Sequence, residues 1–341
     1  MTIWRHLGSV LARTSLAVLF GTAMLVQAAF ANSGPSATSS VPARPSSGCA
    51  LSTPATSGST VNLLAAGGDD GAYMREIPPT YAGKTPMPVV VDLHGYLDPA
   101  SFQEEVTQLG SYGDTHGFIT ITPQVAGPIP LWNTTLGGKD LAFIGGLLRT
   151  IDSTMCVDLN RIYVTGYSNG AFMTSSVACQ FASQVAAVAP VAGIEDPAGC
   201  HPSRPVPVVA FHGTADPYVS YSGGLGPKGL ELPTINGQTL SQEWGMSIKG
   251  PAVPVLTAIW AKRNHCGAKA SAKSVASDVT LFSYSCPGGN DVELYRISGG
   301  GHAWPGSVFS KRISSAIGRV TFSITADKII WNFFKAHPLD G

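Results

Sequence analysis

Ser168 stands in the run Arg161-Ile162-Tyr163-Val164-Thr165-Gly166-Tyr167-Ser168-Asn169-Gly170, followed at once by Ala171-Phe172-Met173. A β-branched and aromatic stretch thus ends in Gly-x-Ser-x-Gly and passes into an apolar segment able to form a helix. That pattern predicts a strand, a sharp turn and a helix, with the serine forced to the tip and its hydroxyl presented as a nucleophile. The flanking glycines let helix and strand approach closely. In a chain with 39 glycines the bare pattern arises easily by chance, so its partners must decide. A serine hydroxyl is a poor nucleophile until a histidine takes its proton, and the histidine needs a carboxylate to fix its tautomer and steady its charge.

On an elbow of this kind the acid and then the histidine are expected on loops after later strands. Residues 207–211 read as a buried strand, and His212-Gly213-Thr214-Ala215-Asp216-Pro217 follows it. Residues 292–297 read as another, followed by Gly299-Gly300-Gly301-His302-Ala303-Trp304-Pro305-Gly306. Asp216 is therefore the candidate acid and His302 the candidate base. An aspartate before proline also serves as a turn residue, but the rival acids Glu195 and Asp196 sit one strand too early. His212 is expected to shape the acid's loop. An oxyanion hole needs two backbone N–H groups aimed at the developing charge. Asn169, next to the nucleophile, is the candidate for one, and Tyr96, in the loop His94-Gly95-Tyr96 after an early strand, for the other. The ring of Tyr96 and the indole of Trp304 are candidates for the wall of an acyl pocket.

The elements that must hold these loops follow from hydrophobic period. Residues 61–65 and 72–77, separated by Gly67-Gly68-Asp69-Asp70-Gly71, predict a hairpin at a sheet edge. Residues 87–93, 117–122, 185–191 and 279–284 read as further strands. Helical spacing appears over 100–116, 140–151, 171–182, 255–263 and 322–334. The alternation of strand and helix predicts an α/β protein with a mostly parallel sheet. Between 218 and 254 the period fails, which predicts a surface excursion or a lid-like insertion over the site. No internal repeat is found.

Arg5, His6 and Arg13 precede the apolar run 16–26, and Ala29-Phe30-Ala31 supplies small residues for cleavage. Residues 1–31 thus read as an export signal, too short in its apolar run for a membrane span. Residues 32–48, rich in Ser and Pro, read as a flexible linker, and 49–341 as one catalytic domain. Six cysteines remain, an even number that favours disulfides in an exported chain. Proximity and placement suggest Cys49–Cys156, Cys179–Cys200 and Cys266–Cys286. The cysteines show no metal-binding spacing, so neither a metal nor a cofactor is expected. Charged residues make up 12% with a net charge of zero, which argues against a nucleic-acid partner. Asn133-Thr134-Thr135 matches a glycosylation acceptor.

The ordered set Leu93-His94-Gly95, Gly166-Tyr167-Ser168-Asn169-Gly170, Pro190-Val191-Ala192-Gly193, His212 to Pro217 and Gly300 to Gly306 resembles the secreted poly(3-hydroxybutyrate) depolymerase-like and feruloyl esterase family. The resemblance spans most of residues 49–337. It implies an α/β-hydrolase fold, helices on both faces of the sheet, and a carboxylic-ester hydrolase whose triad falls on Ser168, Asp216 and His302. Many relatives carry Cys or Gly after His-Gly, where this chain has Tyr96-Leu97-Asp98. The chain ends soon after its closing helix, without the polymer-binding module typical of depolymerases acting on solid polyester. The expectation is therefore a secreted, monomeric serine esterase acting on feruloyl or acetyl esters of polysaccharide or on short hydroxyalkanoate esters. A polyhydroxybutyrate depolymerase proper is the nearest alternative. A serine peptidase on the same fold and a non-catalytic binding protein are more distant ones.

Overall fold

The structure, a computed structural model, describes residues 41–244 and 249–339. The export signal expected over 1–31 and the linker as far as residue 40 lie outside the described residues. Among the described residues, ten strands form one sheet: β1 Gly58–Ala66, β2 Asp69–Ile77, β3 Met87–Leu93, β4 Ile119–Val125, β5 Val157–Tyr167, β6 Val188–Val191, β7 Val208–Gly213, β8 Ser271–Ala276, β9 Val279–Tyr284 and β10 Val292–Ile297. Their order is β1-β2-β4-β3-β5-β6-β7-β10-β9-β8. Strands β4, β3, β5, β6, β7 and β10 run parallel. Antiparallel β1–β2 extends one side of that block, and antiparallel β9–β8 the other. Strand β8 escaped the sequence reading because it is an exposed edge, Ser-Ala-Lys-Ser-Val-Ala, with no apolar face to bury.

The helices are α1 Ala100–Thr107, α2 Leu109–His116, α3 Lys139–Thr154, α4 Asn169–Gln180, α5 Pro227–Leu230, α6 Leu240–Trp244, α7 Val253–Arg263, α8 Val308–Arg312, α9 Ser314–Ile317 and α10 Ala326–Ala336. Side chains along a strand point alternately to opposite faces, so the parallel strands feed two cores. Val89, Val91, Ile162, Val164, Val208 and Ala210 pack with α3, α4 and α7 on one side. Val90, Tyr163, Val209 and Phe211 pack with α1, α2 and α10 on the other. The single helix expected over 100–116 is two, because Gln108 adopts left-handed backbone angles (φ 53°, ψ 26°). Just before that break the Thr107 hydroxyl donates to Asp92 Oδ2 at 2.7 Å, and Gln103 Nε2 donates to Asp92 Oδ1 at 2.6 Å. Asp92 is fully buried on β3, and burial raises its carboxyl well above the usual range. It ties α1 to the strand whose end must hold the Tyr96 loop.

Residues 41–48 are not a free linker, which corrects the expectation for the second half of 32–48. Arg44 N donates to Asp158 Oδ1 (2.9 Å), the Ser46 hydroxyl donates to Met155 O (2.6 Å), and Arg161 Nη2 reaches Val41 O (2.8 Å). The segment is held by polar contacts, so it carries no apolar period to read. The next residue is bonded as well: the disulfides are Cys49–Cys156, Cys179–Cys200 and Cys266–Cys286.

Trp304, expected at the substrate, is fully buried in the second core. Its indole N–H donates to Asp327 Oδ1 at 2.7 Å. An indole nitrogen needs a partner when buried, and Asp327 in the first turn of α10 supplies it. Burial pushes the Asp327 carboxyl up to about 7, with the Trp304 N–H and its own backbone N–H opposing the rise.

The close approach of α4 to the sheet is set at Gly170. A Cβ there would lie 2.0 Å from Leu93 O and 2.5 Å from His94 O. Both are backbone atoms, so α4 must move to make room. Gly170→Ala is expected to lower the unfolding free energy by at least about 2 kcal/mol, as overpacking does; urea titration checks it. A second outcome concerns pH. The folded state holds the Asp327 proton more tightly than the unfolded chain. That contribution is present in full below about pH 4 and is lost as pH rises through about 7. Asp327→Asn keeps an acceptor for Trp304 and does not titrate. Its Tm relative to the parent is therefore expected to rise between pH 4 and 8, and a pH-independent difference would contradict it.

Candidate active site

The strand β5 ends at Tyr167 and α4 begins at Asn169, leaving Ser168 alone to make the turn. Its backbone sits at φ 57°, ψ −118°, a conformation costly for any residue with a Cβ and held only where the surroundings over-determine it. They do so here. Ser168 N donates to Val191 O (2.9 Å), and Ser168 O accepts from Ala171 N (2.9 Å) and Phe172 N (3.2 Å). Gly166 faces Gly170 so closely that a Cβ at 166 would lie 2.4 Å from Gly170 O. Strand and helix thus clamp the serine between them.

Asp216 follows β7 and His302 follows β10, adjacent parallel strands, so their loops emerge side by side. Ala215 N donates to Gly300 O at 2.8 Å, joining the loops directly. His302 Nδ1 lies 2.7 Å from Asp216 Oδ2, both residues being buried. Asp216 Oδ1 accepts from Tyr218 N (2.8 Å) and Val219 N (2.9 Å). Burial by itself would raise this carboxyl. The charge of His302 and its hydrogen bond, then His212 and the Val219 N–H, hold it below the usual range instead. With an ionised carboxylate on Nδ1, the proton of neutral His302 is fixed there and Nε2 is left as the basic nitrogen. His302 is anchored by its own backbone too: His302 N donates to Ile317 O (2.7 Å), and its carbonyl accepts from the Tyr167 hydroxyl (2.5 Å).

His212 is the buried residue expected to shape the acid's loop. Its Nε2–H donates to Val219 O at 2.8 Å and lies 3.5 Å from Asp216 Oδ2. Burial lowers its pKa, with Asp216 opposing. Glu195 and Asp196 are occupied elsewhere. Asp196 pairs with Arg263, and Glu195 Oε1 meets the Ser176 hydroxyl at 3.2 Å, burial raising that carboxyl to about 7.

Ser168 and Asn169 open onto a cavity of about 430 Å³. Tyr96, Trp132, Phe172, Leu225, Leu232 and Leu240 make its apolar wall, with Tyr218 and Val219 beside the acid. The Tyr96 ring is thus at the cavity, whereas Trp304, in the core, is not among its lining residues. The Tyr96 hydroxyl donates to Pro233 O at 2.7 Å, fastening the loop after β3 to the 218–254 excursion. From that excursion Tyr218, Val219, Leu225, Leu232 and Leu240 line the cavity, and its described part also holds α5, α6 and the bridges Val219–Leu225 and Pro233–Thr239.

Trp132 was not singled out in the sequence. It lies in the irregular 126–138 stretch, and its one signal is a lone indole among Gly, Pro and Thr residues. Its N–H donates to His94 O at 3.1 Å. His94 is fully buried, donates from Nδ1 to Gly95 O (2.8 Å), and is pushed down to about 4 by burial, so it stays neutral. Asp98 is a second unforeseen group. Its carboxylate lies over Gly95, and burial raises it to about 6 against the pull of His302. Among the described residues, no cluster of three or more His, Cys, Asp and Glu is placed to hold a metal ion, and no helix is long and apolar enough to cross a membrane.

No family model matches the chain. Feruloyl esterase B of Piromyces equi is 30% identical over 240 residues, covering 67% of this chain and 42% of the relative. The bifunctional acetylxylan esterase/xylanase of Neocallimastix patriciarum is 28% identical over 134 residues, 39% of this chain and 20% of the relative. The chain spans less than half the length of these relatives. The solved acetyl xylan esterase from Aspergillus awamori superposes with a TM-score of 0.48 at 16% identity, covering 75% of this chain and 98% of that one. By its sheet order and its strained serine elbow the chain has an α/β-hydrolase fold, and in sequence it is similar to feruloyl esterases.

Proposed function

We propose that the protein is an exported serine carboxylic-ester hydrolase that releases bulky, aromatic acids from polysaccharide through an acyl-enzyme. What supports this reading is a strained Ser168 lining an apolar, aromatic-walled cavity of about 430 Å³, together with a buried Asp216–His302 pair whose imidazole packs 4.8 Å from the ring of Tyr167, the residue before the serine. A hydroxycinnamoyl group is flat, apolar over most of its area and of a size for such a cavity. The names of the relatives, feruloyl esterase and acetylxylan esterase, point to the same bond. Acetyl and short hydroxyalkanoate esters would leave most of that wall unused.

In the proposed cycle Ser168 Oγ attacks the ester carbonyl while His302 Nε2 takes its proton. Asp216, on Nδ1, stabilises the imidazolium that results. The negative charge on the carbonyl oxygen is met by the backbone N–H groups of Asn169 and Tyr96. His302 then gives its proton to the leaving alcohol. A water molecule, deprotonated by the same nitrogen, attacks the acyl-enzyme and frees the acid and the serine. The export signal over 1–31, with cleavage after Ala31, belongs to the same proposal, as does a single catalytic domain that begins with the docked segment from Val41.

Ser168→Ala is expected to abolish hydrolysis of 4-nitrophenyl esters while leaving the thermal melt of the fold in place. Retained turnover would reject the nucleophile. Asp216→Asn presents the wrong tautomer to the serine and is expected to cost about 10⁴-fold in kcat; a mild effect would mean that another acid serves. Labelling of Ser168 by a fluorophosphonate, read by peptide mass spectrometry, separates an enzyme from a non-catalytic binding protein. Matched ester and amide substrates separate an esterase from a peptidase.

A further inference from the structure

The Asn169 side chain makes two hydrogen bonds to one residue far away in sequence. Its Oδ1 accepts from Trp132 N at 2.7 Å, and its Nδ2 donates to Trp132 O at 3.1 Å. An amide can pair in this way with both backbone groups of a single residue, as a neighbouring strand would. Trp132 has no strand or helix of its own to satisfy those groups, and both would be costly to leave unmade in a buried position. The clamp is reinforced along the same face of α4. The Ser176 hydroxyl donates to Thr134 O at 2.7 Å, and Gln180 Oε1 accepts from Gly137 N at 2.7 Å. Positions 169, 176 and 180 follow helical spacing, so one face of α4 holds the whole 132–137 stretch.

The other side of Trp132 is tied to the loop after β3. Its indole N–H donates to His94 O, its ring packs 4.7 Å from the His94 ring, and Leu97 N donates to Pro130 O at 2.8 Å. A continuous chain of contacts therefore runs from Asn169 through Trp132 to the Tyr96 loop. It runs along the cavity wall and joins the two places where the oxyanion donors are proposed to stand.

We infer that the Asn169 carboxamide is a specificity-determining positioning residue: by clamping the Trp132 backbone it fixes the indole as the rigid wall that receives a large acyl group. The inference rests on the esterase reading above. Its consequence is a selective one. A bulky acyl group depends on the placement of Trp132, and an acetyl group, which reaches little beyond the carbonyl, depends on it much less.

The test measures kcat and KM for 4-nitrophenyl ferulate and 4-nitrophenyl acetate, which share a leaving group, with the full chain and with Asn169→Ala, Trp132→Ala and the double variant. Asn169→Ala is expected to lower the ferulate-to-acetate ratio of kcat/KM by about 10-fold or more, chiefly through KM for the ferulate. Because Asn169 acts through Trp132, the double variant is expected to show the same ratio as Trp132→Ala alone. An equal loss of kcat on both esters, or an additive double variant, would overturn the inference and leave Asn169 a general part of the oxyanion site. Should Asn169→Ala not fold, Asn169→Asp keeps the acceptor for Trp132 N–H and loses the donor. The ratio is then still expected to fall, and an unchanged ratio overturns the proposal. Failure of the parent protein to hydrolyse either ester, or to be labelled at Ser168 by a fluorophosphonate, would instead refute the esterase reading itself.

Discussion

Contact between α4 and the ends of β3 and β5 governs the reacting end of the molecule. At Gly166 and Gly170 backbone meets backbone with no room for a single methyl group. Ser168 is bridged between these two positions, and its left-handed backbone is the geometric remainder once helix and strands are in place. The strain is local, of order 1–3 kcal/mol for such a residue, and the two hydrophobic cores on either face of the sheet hold it there. The same closeness brings Leu93 O and His94 O against the first turn of α4, so the loop after β3 and the residue after the serine are placed by one contact rather than two.

The acid and histidine are fixed by a different means. Adjacent parallel strands β7 and β10 end at the same level, and glycines at both ends let their loops touch. Asp216 is buried, which on its own opposes ionisation. It is given two backbone N–H groups and two histidines, and these outweigh the loss of water. His212 contributes by holding Val219, whose N–H returns to the same carboxylate. The aspartate is thus a charged centre assembled from four directions, while the cavity next to it stays apolar.

How much of this was legible in the sequence differs from residue to residue, for physical reasons. The α/β alternation was legible because buried parallel strands write themselves as short apolar runs. Ser168, Asp216 and His302 stood out because elbows and loop ends need glycine and proline at fixed offsets, a local signal. Trp304 was misplaced because a tryptophan two residues from a histidine has the same sequence appearance whether its indole faces a substrate or Asp327. Trp132 was invisible because what gives it meaning, the amide of Asn169, lies 37 positions away. Residues 41–48 looked like a tether because their anchorage is made by hydrogen bonds to Asp158, Met155 and Arg161, which leave no hydrophobic period behind. The break at Gln108 was hidden for a similar reason, since it accompanies a buried carboxylate on a neighbouring strand.

The three disulfides share a property of order. Numbered along the chain, each odd cysteine is bonded to the one that follows it: Cys49 to Cys156, Cys179 to Cys200, Cys266 to Cys286. Of the fifteen ways to pair six cysteines, this is the one produced when thiols are oxidised in the sequence in which they arrive. A chain threaded N-terminus first into an oxidising compartment would reach it without reshuffling, which is otherwise slow. The first ring closes only once β1 to β4 and α3 have all emerged, and closing it secures the segment that begins at Val41. In a chain exported as proposed, each crosslink would close over elements already delivered, the last of them before β10 has emerged to join β9 to β7.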